Sequence, residues 1–406
     1  MSRIDSLIRD LCPDGVEVRT LEEIFETRNG YTPSKNDVEA WAGSDVPWFR
    51  MDDIRSHGRI LQDATQRISK SAVKGSRTFP ADSILVATSA TIGEHALVRV
   101  PHLSNQRFTN LTVKDSFRDS LEIKFLFYYC FKLDEWCLKN TTTSSFSSVN
   151  MKAFKKFKFP IPPLEVQQEI SRTLDQFTQL EAELEAELEA RRRQFTYFRN
   201  LIVSGSQQAQ LVPIKDIGKL QRGRRFTRND MVGEGIPAIH YGEIYTTYGC
   251  KTDSTVSFVK DEIEPQLRFA QPGDIIIAAV GETVADVGTG VAWLGTTPVA
   301  YHDDSFALHH DQNPRYISHS LRTSEYHRQK DRFVSRAKVK RLSAKGIEQI
   351  QIPLPPLDEQ RRIANILDDF DALVNDLNSG LPAEIEARRK QYEYYRDRLL
   401  TFPEKK

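Results

Sequence analysis

The chain has 406 residues, 39% of them hydrophobic and 28% charged, with 56 basic and 56 acidic side chains and so a formal net charge of zero. That length allows two or three domains with real cores, and that composition excludes a disordered polymer. No apolar run approaches the ~18 residues of a membrane span, and MSRIDSLIRDLCPDG carries charges where a secretory signal needs its apolar stretch, so a cytoplasmic protein without a membrane partner is expected.

Taken in chain order, SRIDSLIRD reads as a short helix within residues 1–15, opening a first region that runs to residue 158. In it, RNGYTPSKND is a basic turn whose glycine suits a tight bend. SILVATS is a buried strand followed by the polar loop SATIGE, and KFLFYYCFKLDEWCLK is a helix. MKAFKKFK closes the region. From residue 159 to 205, after Pro162 and Pro163, the apolar residues Ile170, Leu174, Phe177, Leu180, Leu184 and Leu188 recur at steps of three and four, and Phe195, Phe198 and Ile202 continue the stripe. This predicts one amphipathic helix of about 40 residues, on the order of 60 Å long. Its middle repeats a tetrapeptide, EAELEAEL, from Glu181 to Leu188. A second region, 206–351, contains QRGRRFTRND, the strand DIIIAAV, the loop VGETVA and the basic stretch SRAKVKR. Residues 352–406 form a second long helix, expected to kink near Gly380 and Pro382.

The second half repeats the first. FPIPPLEVQQEISRTLDQFTQLEAEL at 159–184 matches IPLPPLDEQRRIANILDDFDALVNDL at a constant offset of 193, and EARRRQFTYF matches EARRKQYEYY at an offset of 197, so the second copy holds four more residues around Gly380 and Pro382. FPADSILVATSAT similarly matches QPGDIIIAAVGET. The N-terminal SRIDSLIRD resembles the end of the first long helix, which closes the repeat into a circle. The expected fold class is α+β: two diverged α/β domains separated by two long helices, with an internal pseudo-two-fold repeat. The matching apolar seams predict a coiled coil between the helices; alternatively, each stripe covers its own domain.

No sequence signature of catalysis stands out. There is no GxxxxGK[ST] loop, no HExxH and no Cys/His cluster; Cys12, Cys130, Cys137 and Cys250 lie far apart and read as packing residues. DVGTG at 286–290 superficially resembles a glycine-rich AdoMet loop, but it falls in the repeat alignment near the strand ALV at 96–98. Neither IPPL nor LPPL has the Asn or Asp and the aromatic that adenine methylation requires.

What remains points to recognition. Charge is segregated: residues 1–160 carry 23 basic and 20 acidic side chains and residues 204–352 carry 19 and 17, while both helical regions are acidic. Two similar, slightly basic domains on a stiff spacer suit a ligand with two different sites at a set separation, as duplex DNA offers. Candidate contacts in the first domain are Asn29, Tyr31, Lys35, Ser89, Thr91, Asn105, Gln106 and Arg107, with Lys155 and Lys156 for phosphate. In the second they are Arg222, Arg224, Arg225, Arg228, Glu282 and Thr283, with Arg336, Lys338, Lys340 and Arg341 for phosphate. Leu180, Leu184, Leu188, Gly380 and Pro382 are the expected spacer residues.

The duplicated P-x-P-P-L-x-x-Q motif, each copy ending a variable region and opening a long helix, resembles the specificity subunit of type I restriction-modification systems over essentially the whole chain. The resemblance implies two target recognition domains that each read half of a bipartite DNA sequence, antiparallel helices, and no catalytic activity or cofactor in this chain. It implies two modification subunits that methylate adenine with S-adenosylmethionine, and restriction subunits, which use ATP and Mg, that can join them. A stand-alone DNA methyltransferase and a coiled-coil scaffold pairing two proteins are the competing readings.

Overall fold

The computed structural model describes residues 3–73, 75, 77–142, 147–205, 208–335, 337–375, 380–403 and 405. Two compact units emerge, one comprising Met1–Ala182 with Arg388–Lys406, the other Glu183–Ala387. Among the described residues no helix is long and apolar enough to cross a membrane.

In the first unit a five-stranded sheet has the spatial order Phe25–Asn29, Phe108–Val113, Ser83–Ala87, His95–Val98, Ile60–Leu61. The central strands Ser83–Ala87 and His95–Val98 read as nearly continuous apolar runs because both faces are covered. Ile84, Val86, Leu97 and Leu111 pack toward the helix Ile123–Lys139, whereas Leu85, Ala87, Ala96, Val98 and Phe108 pack toward a smaller sheet built on Val46–Phe49. The second unit repeats the order with Gly218–Arg222, Ser305–His310, Ile275–Ala278, Gly290–Trp293 and Lys251–Thr252. Gly290, the last residue of DVGTG, therefore opens a sheet strand in the place that His95–Val98 holds in the first unit. All four cysteines are free and buried, as packing residues should be.

The repeated proline motif fastens each long helix to its own unit. Glu17–Thr20 pairs with Lys158–Ile161, and Gln210–Pro213 pairs with Gln351–Leu354, so Pro160 and Pro353 sit in two-stranded ribbons that tolerate a missing N–H. The motif glutamine is then fully buried in both copies. Gln167 donates to the carbonyls of Pro162 (2.7 Å) and Ser120 (3.0 Å) and accepts from the Glu122 N–H at 2.9 Å. Gln360 donates to Pro355 O (2.8 Å) and Gln312 Oε1 (2.9 Å) and accepts from the Asn313 N–H at 3.0 Å. Some two turns further on, the repeated aspartate completes the lock. Asp175 accepts from Lys124 Nζ (2.6 Å) and the Tyr128 hydroxyl (2.7 Å), and Asp368 accepts from Lys251 Nζ (2.6 Å), Arg315 Nη1 (2.7 Å) and His319 Nε2 (3.0 Å).

The central helix runs without interruption from Leu164 to Ser204, 41 residues. Its stripe serves both anticipated purposes on different turns. Val166, Ile170 and Leu174 are buried in the core of the first unit, as Ile363, Ala364 and Leu367 are in that of the second, so these turns cover a domain. Farther along, helix meets helix: in the first unit Phe177 stacks on Tyr395 at 5.6 Å and Glu181 pairs with Arg389 at 2.6 Å, an antiparallel order. In the second unit Phe198 stacks on Phe370 at 5.9 Å. Leu180 is 38% exposed, while Leu184 and Leu188 are half-buried, so the tandem repeat occupies the thinnest part of the stripe.

Of the second long helix two stretches are described, Leu357–Asn375 and Gly380–Leu399. The expected kink near Gly380 and Pro382 falls partly on residues 376–379, which lie outside the described residues. Gly380 lies in the left-handed region with φ 69°, and Pro382 stands in the first turn after it, where no intrahelical N–H bond is lost. The N-terminal helix Arg3–Leu11 buries Ile4 in the same cluster as Leu399 and Leu400, and Val16 donates to Pro403 O at 2.9 Å. The N-terminal helix and the residues around Leu400 thus share one core.

Candidate DNA interface

One end of each five-stranded sheet gathers most of the polar residues singled out by sequence. In the first unit the strand Phe25–Asn29 ends beside the turn 105–107, and Gly30 makes that approach possible. A Cβ on Gly30 would lie 2.2 Å from Asn105 O and 2.4 Å from Ser104 O. In the second unit Gly223 faces the turn 302–304 in the same way, 2.1 Å from His302 O and 2.5 Å from Tyr301 O. Neither glycine has a positive φ. They are close-approach glycines, and the tight-bend explanation of the basic turns is corrected accordingly.

In the first unit Thr88 and Thr109 share a hydroxyl hydrogen bond at 2.9 Å, and Thr109 passes one on to Asn29 Oδ1, also at 2.9 Å. Thr32 donates to Gln106 Oε1, and the Arg107 N–H donates to Asn105 Oδ1 at 3.0 Å. Ser89, bridged to Ser148, and Thr91 flank Ala90, a non-glycine residue at φ 65°. Such a left-handed conformation costs roughly 1–2 kcal/mol and is found where a loop is shaped for use. The structure therefore brings together Asn29, Asn105, Gln106 and Arg107, with Ser89 next to Thr88 in the same network.

Tyr31 serves the fold instead. Its hydroxyl donates to Ala72 O and its carbonyl accepts from Trp48 Nε1 at 2.9 Å, which seats the turn on the smaller sheet. Lys35 is exposed on the turn that leads into the helix Val38–Ala42. Lys155 and Lys156 are not with the others. The Lys155 carbonyl accepts from Glu22 N at 3.0 Å, before the start of the strand whose far end carries Asn29.

In the second unit the turn that begins at Gly223 is anchored by Phe226, buried among Ala238, Val259 and Ala300. Thr227 and Asp230 close a capping box behind it, and those hydrogen bonds hold the Asp230 carboxyl below its usual pKa. Arg224, Arg225 and Arg228 are exposed, and among the described residues their side chains make no hydrogen bond or ion pair. Arg222 is tethered: its Nε donates to Asp303 O at 2.7 Å, with Asp303 and Asp304 carboxylates 3.7 and 3.9 Å from the guanidinium. Arg341 is held by Asp304 at 3.2 Å. Lys340–Arg341 pairs with Val280–Gly281, which sets Glu282 and Thr283 at the same rim, although Thr283 is turned back onto Asp286. Lys340 donates to Ala337 O at 2.9 Å, Lys338 is exposed, and Arg336 lies outside the described residues.

Sequence reasoning missed His240, Tyr241, His302, Asp303 and Asp304, which line the cleft with the arginines. Burial lowers the pKa of both His240 and His302, whose rings lie 4.8 Å apart. A signal existed: strand register makes Asn105-Gln106-Arg107 the counterpart of His302-Asp303-Asp304 at an offset of 197, whereas the proline motifs align at 193.

Comparison with known proteins agrees with this duplicated architecture. The family model described as type I restriction modification DNA specificity domain matches twice, at residues 13–190 and 207–387. The chain is 39% identical to the EcoprrI specificity subunit of Escherichia coli, over 90% of each chain. It is 27% identical to a putative type I specificity subunit of Haemophilus influenzae, over 89% of this chain and 96% of the relative. A chain solved in a study of complex assembly and conformational transition of a type I restriction-modification system superposes with a TM-score of 0.63 at 18% identity, covering 96% of this chain and 98% of that one. The chain belongs to the type I restriction-modification specificity subunits, and each of its halves is a DNA specificity domain.

Proposed function

We propose that this chain is the non-catalytic reading subunit of a DNA-modifying complex, with residues 1–158 and 206–351 each recognising one half of a bipartite duplex sequence. The observation that carries the reading is a shared frame with divergent tips. Gly30 and Gly223 set the same backbone approach in both units, yet the turn behind one carries Asn105, Gln106 and Arg107 and behind the other His302, Asp303 and Asp304. A constant scaffold with different donors and acceptors at its rim is what reading two different half-sites requires. The long helices, at 159–205 and 352–406, set the unread gap and offer docking surface to two modification subunits. S-adenosylmethionine chemistry then resides in those partners, as do ATP and Mg where restriction subunits join. Methylation mapped across the genome of cells that express this chain with its modification partner tests the reading, which predicts one split motif and none from either protein alone.

The tandem repeat gives a sharper test. Deleting Glu181 to Leu184 moves Glu185 and Leu188 into the places of Glu181 and Leu184, so the carboxylate that holds Arg389 is regenerated and the apolar stripe is kept. Four helical residues are worth about 6 Å and about 40° beyond a full turn, and a DNA base pair about 3.4 Å. The deletion should leave both half-sites unchanged and shorten the gap by one base pair, two at most. An unchanged gap would refute the spacer role.

A further inference from the structure

The three amides at the tip of the first unit share a feature that their sequence does not reveal. In each, the carbonyl oxygen already accepts a hydrogen bond from the protein: Asn29 from Thr109, Asn105 from the Arg107 backbone and Gln106 from Thr32. Among the described residues none of the three amide nitrogens has a partner. Asn29 and Gln106 are exposed and Asn105 is half-buried. Gly30, wedged against Asn105 O and Ser104 O, couples the turn that carries Asn105 and Gln106 to the strand that ends in Asn29.

We propose that Asn29, Asn105 and Gln106 are specificity determinants of the first domain that read DNA as hydrogen-bond donors. The proposal rests on the DNA-reading function argued above and assigns chemistry within it. An unconstrained asparagine or glutamine reads adenine by offering one donor and one acceptor, to N7 and N6. Here one lone pair of the acceptor is engaged and the rotamer is fixed by that engagement, so the NH2 group is the half of each amide left wholly without a protein partner among the described residues. Its complement is an acceptor edge in the major groove: purine N7, guanine O6 or thymine O4. Cytosine, which offers only its N4 donor there, is disfavoured. The equivalent turn of the second unit carries Asp303 and Asp304, whose oxygens accept from Arg222 and Arg341, so the donor set belongs to the first domain.

The test replaces each NH2 with an oxygen of the same shape. In Asn29→Asp, Asn105→Asp and Gln106→Glu the accepted hydrogen bond survives, while the projecting donor becomes an acceptor and a negative charge is added, so the readout is base preference and not methylation level alone. Each full-length variant is expressed with the modification partner, and methylation is mapped at every occurrence of the wild-type motif and its single-base variants. At one position of the first half-site the wild-type acceptor-edge base is expected to lose its preference by about tenfold or more, with the second half-site and the thermal midpoint unchanged. If all three variants methylate the wild-type motif with its first half-site undiminished, the proposal is overturned. A wild-type chain that gives no split motif at all would remove the DNA-reading function itself, and the proposal with it.

Discussion

Replacing Asp368 with alanine is expected to lower the unfolding free energy of the unit that contains it by roughly 3–5 kcal/mol, the cost of removing one partner from a buried charged network. Denaturant titration of the full chain reads this as an earlier midpoint for that unit's transition. Asp368 is 9% exposed and satisfies three donors at once, on Lys251, Arg315 and His319. Without it, His319, fully buried against Cys250 Sγ at 3.3 Å, keeps no carboxylate, and the helix Leu357–Asn375 loses its charged fastening to the domain. Asp175→Ala should cost clearly less. The Asp175 and Lys124 side chains are about one-third exposed, at 33% and 35%, so water screens their attraction and rehydrates what is left.

The same network sets a pH dependence. Burial would raise the Asp368 carboxyl, but hydrogen bonds from His319, Lys251 and Arg315 outweigh it and hold the pKa far below the carboxylate range. Its stabilisation is therefore present above about pH 3.9 and lost as pH falls through the depressed folded value. Burial would likewise lower His319, but Cys250 and Asp368 outweigh it and raise the pKa. That contribution is complete below about pH 6.5 and is lost as pH rises through the elevated folded value. His319→Gln should flatten the neutral-to-alkaline decline in stability and shrink the acid limb without abolishing it, because Lys251 and Arg315 still hold the Asp368 carboxylate.

The repeat made the architecture legible, because apolar spacing and proline motifs survive divergence when they serve packing. Gln167 with Gln360 and Asp175 with Asp368 were visible as repeated letters, but not as locks. Their partners, Glu122 and Tyr128 in one unit and Asn313 and His319 in the other, lie more than 40 residues away and differ between copies. The seam was legible as a stripe but not its division of labour, since a run such as Ile170 to Phe177 has the same period whether it faces a domain or a second helix. At the tips, residue type picked out Asn29, Asn105, Gln106 and the arginines as candidates, and the structure gathers them at one end of each sheet. It could not show that the Tyr31 hydroxyl is engaged on Ala72, and it overlooked Asp303 and Asp304, which hold Arg222 and Arg341 but not Arg224, Arg225 and Arg228.

Gly223→Ala should then be among the most damaging single-methyl changes in the chain. The added Cβ would meet two backbone carbonyls, at 2.1 Å from His302 O and 2.5 Å from Tyr301 O, and neither can rotate away as a side chain would. The strand Val299–Tyr301 and the turn after it must shift by about an ångström, which strains the Gly223 N–H bond to Ser305 O and the Arg224 N–H bond to Tyr301 O, now 3.1 and 3.2 Å. Overpacking of this kind costs roughly 1–3 kcal/mol, and an ångström of misplacement at a preorganised site can cost on the order of a hundredfold in rate. Methylation at the wild-type motif should fall by that order, with sequence preference eroded first in the half-site of the second domain. Gly233→Ala, which meets nothing within 4 Å at a glycine of ordinary φ only ten residues on, should leave both methylation and motif as they are. Equal effects of the two substitutions would show that the close approach at Gly223 does not position the arginine-bearing turn.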